Sequence, residues 1–457
     1  MRFFAAIRLV STCLRMNKTF FLSLSCLSLP ALCAAEEPLH LTPEFVNQLV
    51  AEAQKNNLGL KVFQARTDAA VAATESVRTW EDPTVSFGFS RPTSRGFKSS
   101  EEGNLIYGID EKLPVFGRPE LARHVAEADA AKEKLNTAYE TERLRRDLTQ
   151  SVADLALSDE IVRLTFQDLG WLETILSTVD NRYRVGKASQ VEWLKIQTER
   201  AKVADRLQTL KLEQAHKQVQ LNRLLNRDLH SNWPEVVLSS VQPAVVDEDA
   251  LTDSALRTEP KLRVMHQEVA QADAMAQLTH RRRLPEIGVG LQARQYSGDW
   301  GIREGMATVS FSLPWVNAKH YDSDYRRDKA RVHAAEHEAA DYELTLREGI
   351  HHLTIDIDAA RRQAVLYRDE LIPLAEQTVS SASAAWENNL GVFQDVLDAR
   401  RLLIEDRLML AQSLADHIRK LADLALLTGA NDFTALFQQS NDPTKNRSTA
   451  STPGESK

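Results

Sequence analysis

From Pro43 to Trp80 apolar side chains recur at helical intervals (Phe45, Leu49, Ala53, Leu60, Ala65, Val71) with no internal proline after Pro43, which predicts one long helix. After Pro83 the period changes to two. Val85, Phe87 and Phe89 alternate with Ser86, Gly88 and Ser90, the pattern of a strand over 84–90 with a single apolar face. A loop rich in Gly, Ser and Arg, residues 91–103, leads to a second alternating run in which Leu105, Tyr107 and Ile109 oppose Gly108, Asp110 and Lys112. The two runs predict a long-looped hairpin.

Pro114, Gly117 and Pro119 punctuate its exit, and a helical pattern then runs to about Tyr183. Leu144, Leu148, Val152, Leu155, Val162, Leu169, Leu172, Leu176 and Val179 keep spacings near three and four, which predicts coiled-coil packing. Val185-Gly-Lys-Ala-Ser189 breaks the pattern, Ser189 serves as N-cap, and another helix continues to about Asn226. A polar linker with Trp233, Pro234 and Pro243 follows.

The same order then repeats. A helix is predicted from about Asp249 to His280, a strand from Glu286 to Arg294, a turn with Gly298 and Gly301, a strand from Gly305 to Leu313, and after Pro314 a long helix. A shift of 203 places Tyr183 on Trp386, Glu192 on Asp395, Leu194 on Leu397 and Leu221 on Leu424; a shift of 200 places Leu113-Pro114 on Leu313-Pro314. This is an internal duplication of a domain, its period far too long for a solenoid repeat. The organisation reads as a leader (1–35), a first repeat (36–228), a linker (229–248), a second repeat (249–430) and a polar tail (431–457).

At 1.5 Å per residue the long helix of the first repeat measures roughly 95 Å, and its neighbours roughly 55 and 57 Å. The consistent arrangement stacks the two shorter helices end to end beside the long one. Four short strands cannot bury an apolar face alone. Their length and alternation match tilted strands of a membrane barrel, where lipid forces every backbone group into a closed ladder. Four strands cannot close such a barrel, whereas three chains supply twelve. The expected fold is therefore mainly α with a small β part: a long coiled-coil helical barrel and a transmembrane β-barrel completed by trimerisation. Trp80, Trp300 and Trp315 flank the strands where interfacial aromatics belong. Arg281-Arg282-Arg283 stands where cations meet lipid phosphates, or serves equally as solvated charge at a helix C-terminus.

The formal net charge is −8, and every charge in residues 1–35 is basic (Arg2, Arg8, Arg15, Lys18), so without them it is −12. That balance argues against a nucleic-acid partner. From Met16 onward the segment reads as a secretory signal peptide: Lys18, an apolar run from Phe20 to Leu32, then Cys33-Ala-Ala. Met16 is the expected start, with Met1 the alternative, and Leu32 before Cys33 departs from a lipid-attachment signal. Cys13, Cys26 and Cys33 are the only cysteines, which excludes disulfides and thiolate metal sites downstream.

No catalytic residue, cofactor site or metal site is expected. His333-Ala-Ala-Glu336-His337 matches a zinc-protease string but sits in a charged helical run, 326–343, where a solvated face is the better reading. His351-His352 near Asp356 is a similar chance pairing. No phosphate-binding glycine loop or nucleophile elbow occurs.

The duplicated halves, paired strands, Leu-Pro strand exits and the segment Tyr183-Arg-Val-Gly-Lys-Ala-Ser189 together resemble the TolC-like outer-membrane factor family across the mature chain. Single motifs are loose, but their order is specific. The resemblance implies a homotrimer in the outer membrane of a Gram-negative bacterium, contacting outer-membrane lipid and continuing as a periplasmic helical tunnel. It further implies a tip that meets a periplasmic adaptor and an inner-membrane pump, expected to be of the RND type. The protein is then a passive conduit for small solutes or metal ions and not an enzyme. Leu113-Pro-Val-Phe-Gly-Arg118 and Glu81-Asp-Pro-Thr-Val85 lean toward the heavy-metal-efflux branch. The resemblance places adaptor docking on Arg184, Val185, Gly186, Lys187 and Ser189. The second tip departs from the pattern, with Asn389 at the position of Gly186 and Val392 at that of Ser189. Arg182, Glu192, Asp395 and Asp398 near the turns are candidate gate charges alongside Arg184, with simple solvation the competing reading. The alternatives are the outer channel of a type I protein-secretion system and, from another class, a periplasmic coiled-coil scaffold that would pack its strands on helices.

Overall fold

The computed structural model describes residues 39–77, 81–90, 104–241, 248–296 and 301–430. The leader, the tail, the loop at 91–103, Trp80, Gly298 and Trp300 lie outside the described residues. The chain lays down β1 (Leu39–His40), α1 (Pro43–Asn56), α2 (Leu58–Ser76), β2 (Thr84–Ser90), β3 (Asn104–Leu113), α3 (Arg118–Arg184) and α4 (Gln190–Leu225). There follow β4 (Val236–Val237), α5 (Glu248–Thr258), α6 (Pro260–Arg281), β5 (Ile287–Tyr296), β6 (Ile302–Phe311), α7 (Ala318–Leu366), a π-helical segment (Tyr367–Leu371), α8 (Ile372–Glu387) and α9 (Phe393–Thr428).

The helix expected over Pro43–Trp80 is broken at Asn57, and its repeat is broken at Glu259. Capping chemistry explains both breaks. The Asn57 Oδ1 accepts the Leu60 N–H at 2.9 Å, and a Glu259 carboxylate oxygen accepts that of Leu262, with Pro260 at the first position of the new helix. Each break also receives the end of a later helix. Asn57 Nδ2 donates to the Leu224 carbonyl at 2.7 Å, and Thr258 Oγ1 to that of Thr428 at 2.7 Å. So α4 ends where α2 begins, and both lie along α3, which at 67 residues is roughly 100 Å long. This is the end-to-end stacking that the helix lengths require.

The stretch read as a linker contributes β4, which pairs in parallel with β1. Asp159 on α3 pins it: this buried carboxylate accepts the Val236 N–H at 2.9 Å and Gln214 Nε2 at 2.6 Å. Nearby, Leu148, Val152, Leu155, Leu221 and Leu225 form an apolar core with α1. Each such buried side chain contributes about 1.5–3 kcal/mol. A second core joins α5, α6, α7 and α9, and a third joins α3, α4, α8 and α9 at the far end.

The other strands form one antiparallel sheet in the order β2-β3-β5-β6. Its strands match the expected hairpins to within a few residues at each end.

Candidate conduit and tip

Register assigns the two faces of the sheet. Val85, Ile109, Leu291 and Ala307 share a rung, as do Phe87, Tyr107, Ala293 and Gly305. The opposite face carries Thr84, Asp110, Gly290 and Thr308 on one rung and Gly88, Ile106, Arg294 and Glu304 on another. One side is thus almost wholly apolar and the other largely polar, with Arg294 and Glu304 paired at 2.9 Å. The apolar side is uncovered: Phe87 is 78% exposed and Val309 65% exposed. These strands are not packed on helices, contrary to a scaffold. On the polar side a Cβ at Gly290 would collide with the Asp110 carboxylate and lie 2.6 Å from Thr308 Oγ1, so this face has no room for bulk at that rung.

The sheet has two free edges, β2 and β6, which run in opposite directions. The helices keep the same order. On the strand side α3 lies between α2 and α6, and α6 adjoins α7; toward the far end α3 lies between α4 and α9, which adjoins α8. One side of the molecule is therefore edged by first-half elements (β2, α2, α4) and the other by second-half elements (β6, α7, α8). Exposed apolar residues mark these edges, with Leu58, Val62 and Val71 on α2 and Leu344, Ile355 and Leu366 on α7.

Sheet and helices meet at Arg118, the first residue of α3. Its guanidinium donates to Glu286 Oε1 and the Leu284 carbonyl at 2.5 Å each, and to the carbonyls of Arg282 at 3.1 Å and Arg281 at 3.3 Å. One cation thereby closes the C-terminus of α6 and fixes the entry of β5. Sequence reasoning noted the segment but not this role, because the partners lie in the other half of the chain. Of the three arginines at that end, Arg283 pairs with Asp322 at 3.1 Å, while Arg281 and Arg282 are exposed.

At the far end both turns adopt the same geometry. Gly186 takes φ 73°, with Lys187 N–H donating to the Arg182 carbonyl at 2.7 Å and Gly186 N–H to that of Tyr183 at 3.0 Å. Asn389 takes φ 57°, and Leu390 and Asn389 make the corresponding bonds to Ala385 at 2.8 Å and Trp386 at 3.1 Å. Both are Schellman closures, and asparagine stands in for glycine because it tolerates left-handed backbone. Ser189 Oγ accepts the Glu192 N–H at 3.2 Å; Val392 has no such side-chain bond to offer. Val185, Gly186, Lys187 and Ser189 are exposed, and Arg184 pairs with Asp180 at 2.8 Å.

Arg182 joins the two turns. It donates to Asn389 Oδ1 at 2.6 Å, to the Glu387 carbonyl at 3.2 Å and to that of Trp386 at 3.4 Å, with its guanidinium 4.5 Å from the Trp386 ring centre. This places a cation on the C-terminal carbonyls of α8, a favourable end for positive charge. A second bridge runs from Lys195 Nζ to Gln394 Oε1 at 2.9 Å, from Gln394 Nε2 to Asp398 at 2.9 Å, and from Arg401 to Asp398 at 3.3 Å and Glu199 at 2.8 Å. Asp395 is exposed and Glu192 half-buried. Among the described residues of one chain, no ion pair joins Arg182 to Glu192, Asp395 or Asp398.

Charge elsewhere is managed by pairing. Asp328 on α7 is 1% exposed yet meets Arg327 at 2.9 Å and Arg331 at 3.3 Å, and the Arg327 hydrogen bond holds its carboxyl below the usual range. Asp159 is 5% exposed without a cation, and burial pushes its carboxyl up. His333 meets Glu336 at 2.9 Å and His351 meets Glu248 at 3.0 Å, all exposed. Among the described residues no group of three or more His, Cys, Asp or Glu is placed to hold a metal ion, and no helix is long and apolar enough to cross a membrane.

A family model described as outer membrane efflux protein matches residues 49–227 and 251–430, once for each half of the duplication. The chain belongs to the outer membrane efflux protein family. No curated protein matches it significantly in sequence. Among solved structures, the outer-membrane channel OprN superposes with a TM-score of 0.72 at 18% identity, covering 84% of this chain and 90% of that one. VceC of Vibrio cholerae gives 0.71 at 14% identity, with 84% and 96% covered. CusC gives 0.66 at 15% identity, with 84% and 91% covered. At these identities the likenesses establish the fold; the family match carries the class. Outer membrane efflux proteins are passive channels and not enzymes, located in the outer membrane and reaching into the periplasm. They are trimers that work with adaptor proteins and inner-membrane pumps.

Proposed function

We propose that three copies of this outer membrane efflux protein close a twelve-stranded barrel over a helical tunnel, forming the exit duct of a tripartite system that exports small solutes or metal ions. The observation that carries this reading is the sheet of four strands, apolar on one face, with two free edges of opposite direction. Laying β2 of one copy on β6 of the next continues the antiparallel alternation, and three copies give an even closed set with the apolar face toward lipid. The helix edges support the same ring, because first-half elements meet second-half elements at every level. Such a head-to-tail contact closes when the rotation per copy divides a full turn.

The finer assignments are part of this proposal. The exposed turn at Arg184, Val185, Gly186, Lys187 and Ser189 docks the adaptor. Arg182, Glu192, Asp395 and Asp398, with Arg184, form ion pairs between neighbouring copies that narrow the entrance. The pump is of the RND type, and Arg281 and Arg282 face lipid headgroups. The heavy-metal leaning is supported by the likeness to CusC together with the strand-entry and strand-exit segments. The experiment is to recover the protein from outer membranes and reconstitute it. Heat-modifiable trimers that conduct ions in planar bilayers are expected, and a buffer-soluble monomer that carries no current would end the reading. A rise in single-channel conductance on replacing Arg184 and Asp395 together is expected of a gate; unchanged conductance removes that assignment. A co-purifying type I secretion exporter would replace the RND pump.

A further inference from the structure

The polar face of the four-stranded sheet changes along its strands. Counted from the helices, its first rung holds Lys112, Gly288 and Ser310, its second Thr84, Asp110, Gly290 and Thr308, and its third Ser86, Gly108, Gln292 and Met306. Three glycines thus fall on neighbouring rungs, and each is covered by an oxygen from an adjacent strand. Ser86 Oγ occupies the place of a Cβ on Gly108, and Ser310 Oγ lies 2.7 Å from that place on Gly288. On Gly290 the Asp110 carboxylate fills it, with Thr308 Oγ1 at 2.6 Å. These side chains lie along the wall, which at this height presents hydroxyl and carboxylate oxygens over backbone.

Charge on this face is balanced except at one residue. Lys112 meets Glu81 at 3.1 Å, and Arg294 meets Glu304 at 2.9 Å. Among the described side chains no cation pairs with Asp110. Its neighbour Glu111 stands on the opposite, apolar face beside Val289.

We infer that Asp110 sets the charge preference of the barrel, so that the duct favours cationic over anionic solutes at this level. The inference rests on the conduit reading, because it takes the polar face as the wall of a wet bore. Three copies place three uncompensated carboxylates at one height, the arrangement by which rings of acidic side chains select cations. Distance decides whether one ring suffices. Twelve strands about 4.8 Å apart and tilted about 40° enclose a backbone radius of roughly 12 Å, which leaves the carboxylates roughly 10 Å from the axis. At about 0.1 M salt the screening length is also about 10 Å, and three charges at that range enrich a monovalent cation about twofold on the axis and deplete an anion equally. At about 1 M the length falls to about 3 Å, and the preference disappears.

A reporter beside Asp110 tests this independently of whatever the tip contributes to current. Ser86 is exposed, Ser86→Cys places a thiol of similar shape one rung away, and no cysteine follows Cys33. In isolated outer membranes at about 0.1 M salt, the reaction of residue 86 with a singly positive and a singly negative methanethiosulfonate is followed by mass spectrometry. The ratio of the two rates cancels any change in thiolate fraction, which affects both reagents alike. Asp110→Asn is expected to lower the cationic-to-anionic ratio about fourfold, and adding Thr308→Asp, which returns a carboxylate to the same rung, is expected to restore it. Glu111→Gln, on the lipid-facing side, is expected to leave the ratio unchanged, and at about 1 M salt the unaltered and Asp110→Asn proteins are expected to converge. A ratio indifferent to Asp110→Asn, or equally sensitive to Glu111→Gln, overturns the role of Asp110 while the conduit stands. A residue 86 that neither reagent reaches contradicts the wet bore and ends both readings.

Discussion

The two halves of the chain build the same elements in the same order, but they close their helix ends with different chemistry. The first turn is self-sufficient, with Gly186 supplying the left-handed backbone and Ser189 the N-cap. The second has Asn389 and Val392 at those positions and borrows a cation, Arg182, from the first. Likewise α3 passes unbroken to the tip, whereas the equivalent path in the second half is interrupted by the π-helical segment and Pro373. Duplication has preserved backbone geometry while reassigning the side chains that enforce it. One half thus acts as a strut and the other depends on it.

The largest effect should come from the residue through which the second turn leans on the first. Trp386 is 4% exposed and packs on Phe393 beneath Arg182. Trp386→Ala should cost about 3–5 kcal/mol and loosen both turns, measured by denaturant unfolding and by exchange protection at the tip. Tyr183→Ala, at the equivalent but 42% exposed position, should cost far less. Equal losses would mean that neither turn depends on the other.

A smaller contrast separates the left-handed positions. Gly186→Ala has free space around the new methyl, so its cost of about 1–2 kcal/mol is purely that of backbone conformation. Asn389→Gly relieves backbone strain but removes the Arg182 acceptor, so these effects should nearly cancel. Smaller again are the caps. Ser189→Ala should cost about 1 kcal/mol, while Val392→Ser should gain a few tenths to about 1 kcal/mol by supplying the missing acceptor, read from paired unfolding curves.

The pH dependence should differ in sign between one buried carboxylate in each half. Asp159 is raised above its ordinary value near 3.8 by burial, so the folded state binds its proton more tightly than the unfolded chain. Its contribution is present below that ordinary value and fades as pH rises through the raised one; Asp159→Asn should remove this falling limb. Asp328 is lowered from the same ordinary value by Arg327, so its contribution is present at neutral pH and is lost as pH falls through the lowered value. Asp328→Asn should destabilise at pH 7 and flatten the acid limb. Unfolding free energies measured from about pH 2 to 8 distinguish the two.

Much of this architecture is legible from spacing alone. Period two with opposed apolar and polar positions gave the strands, and the near-heptad run from Leu144 to Val179 gave α3. The internal shift of 203 brought the two turns into correspondence. What escaped was local or distant in the chain. The breaks at Asn57 and Glu259 depend on single capping side chains within otherwise continuous helical patterns, although Pro260 was a visible signal for the second. The slip at Tyr367–Leu371 leaves no trace in periodicity beyond Pro373. The links Arg118 to Glu286 and Arg182 to Asn389 join residues more than 160 positions apart. Those need the fold before they can be read.

The account stands on the β2 and β6 edges meeting in neighbouring copies. A panel of single-cysteine pairs, one position on β2 and one on β6, scanned along both strands of a chain that has no cysteine after Cys33, tests this directly. Oxidation in outer membranes should yield covalent dimers and trimers for a set of pairs in which the β2 position rises as the β6 position falls, as one antiparallel register requires. Intramolecular bonds alone, or no bond at any pair, would contradict a barrel closed between copies.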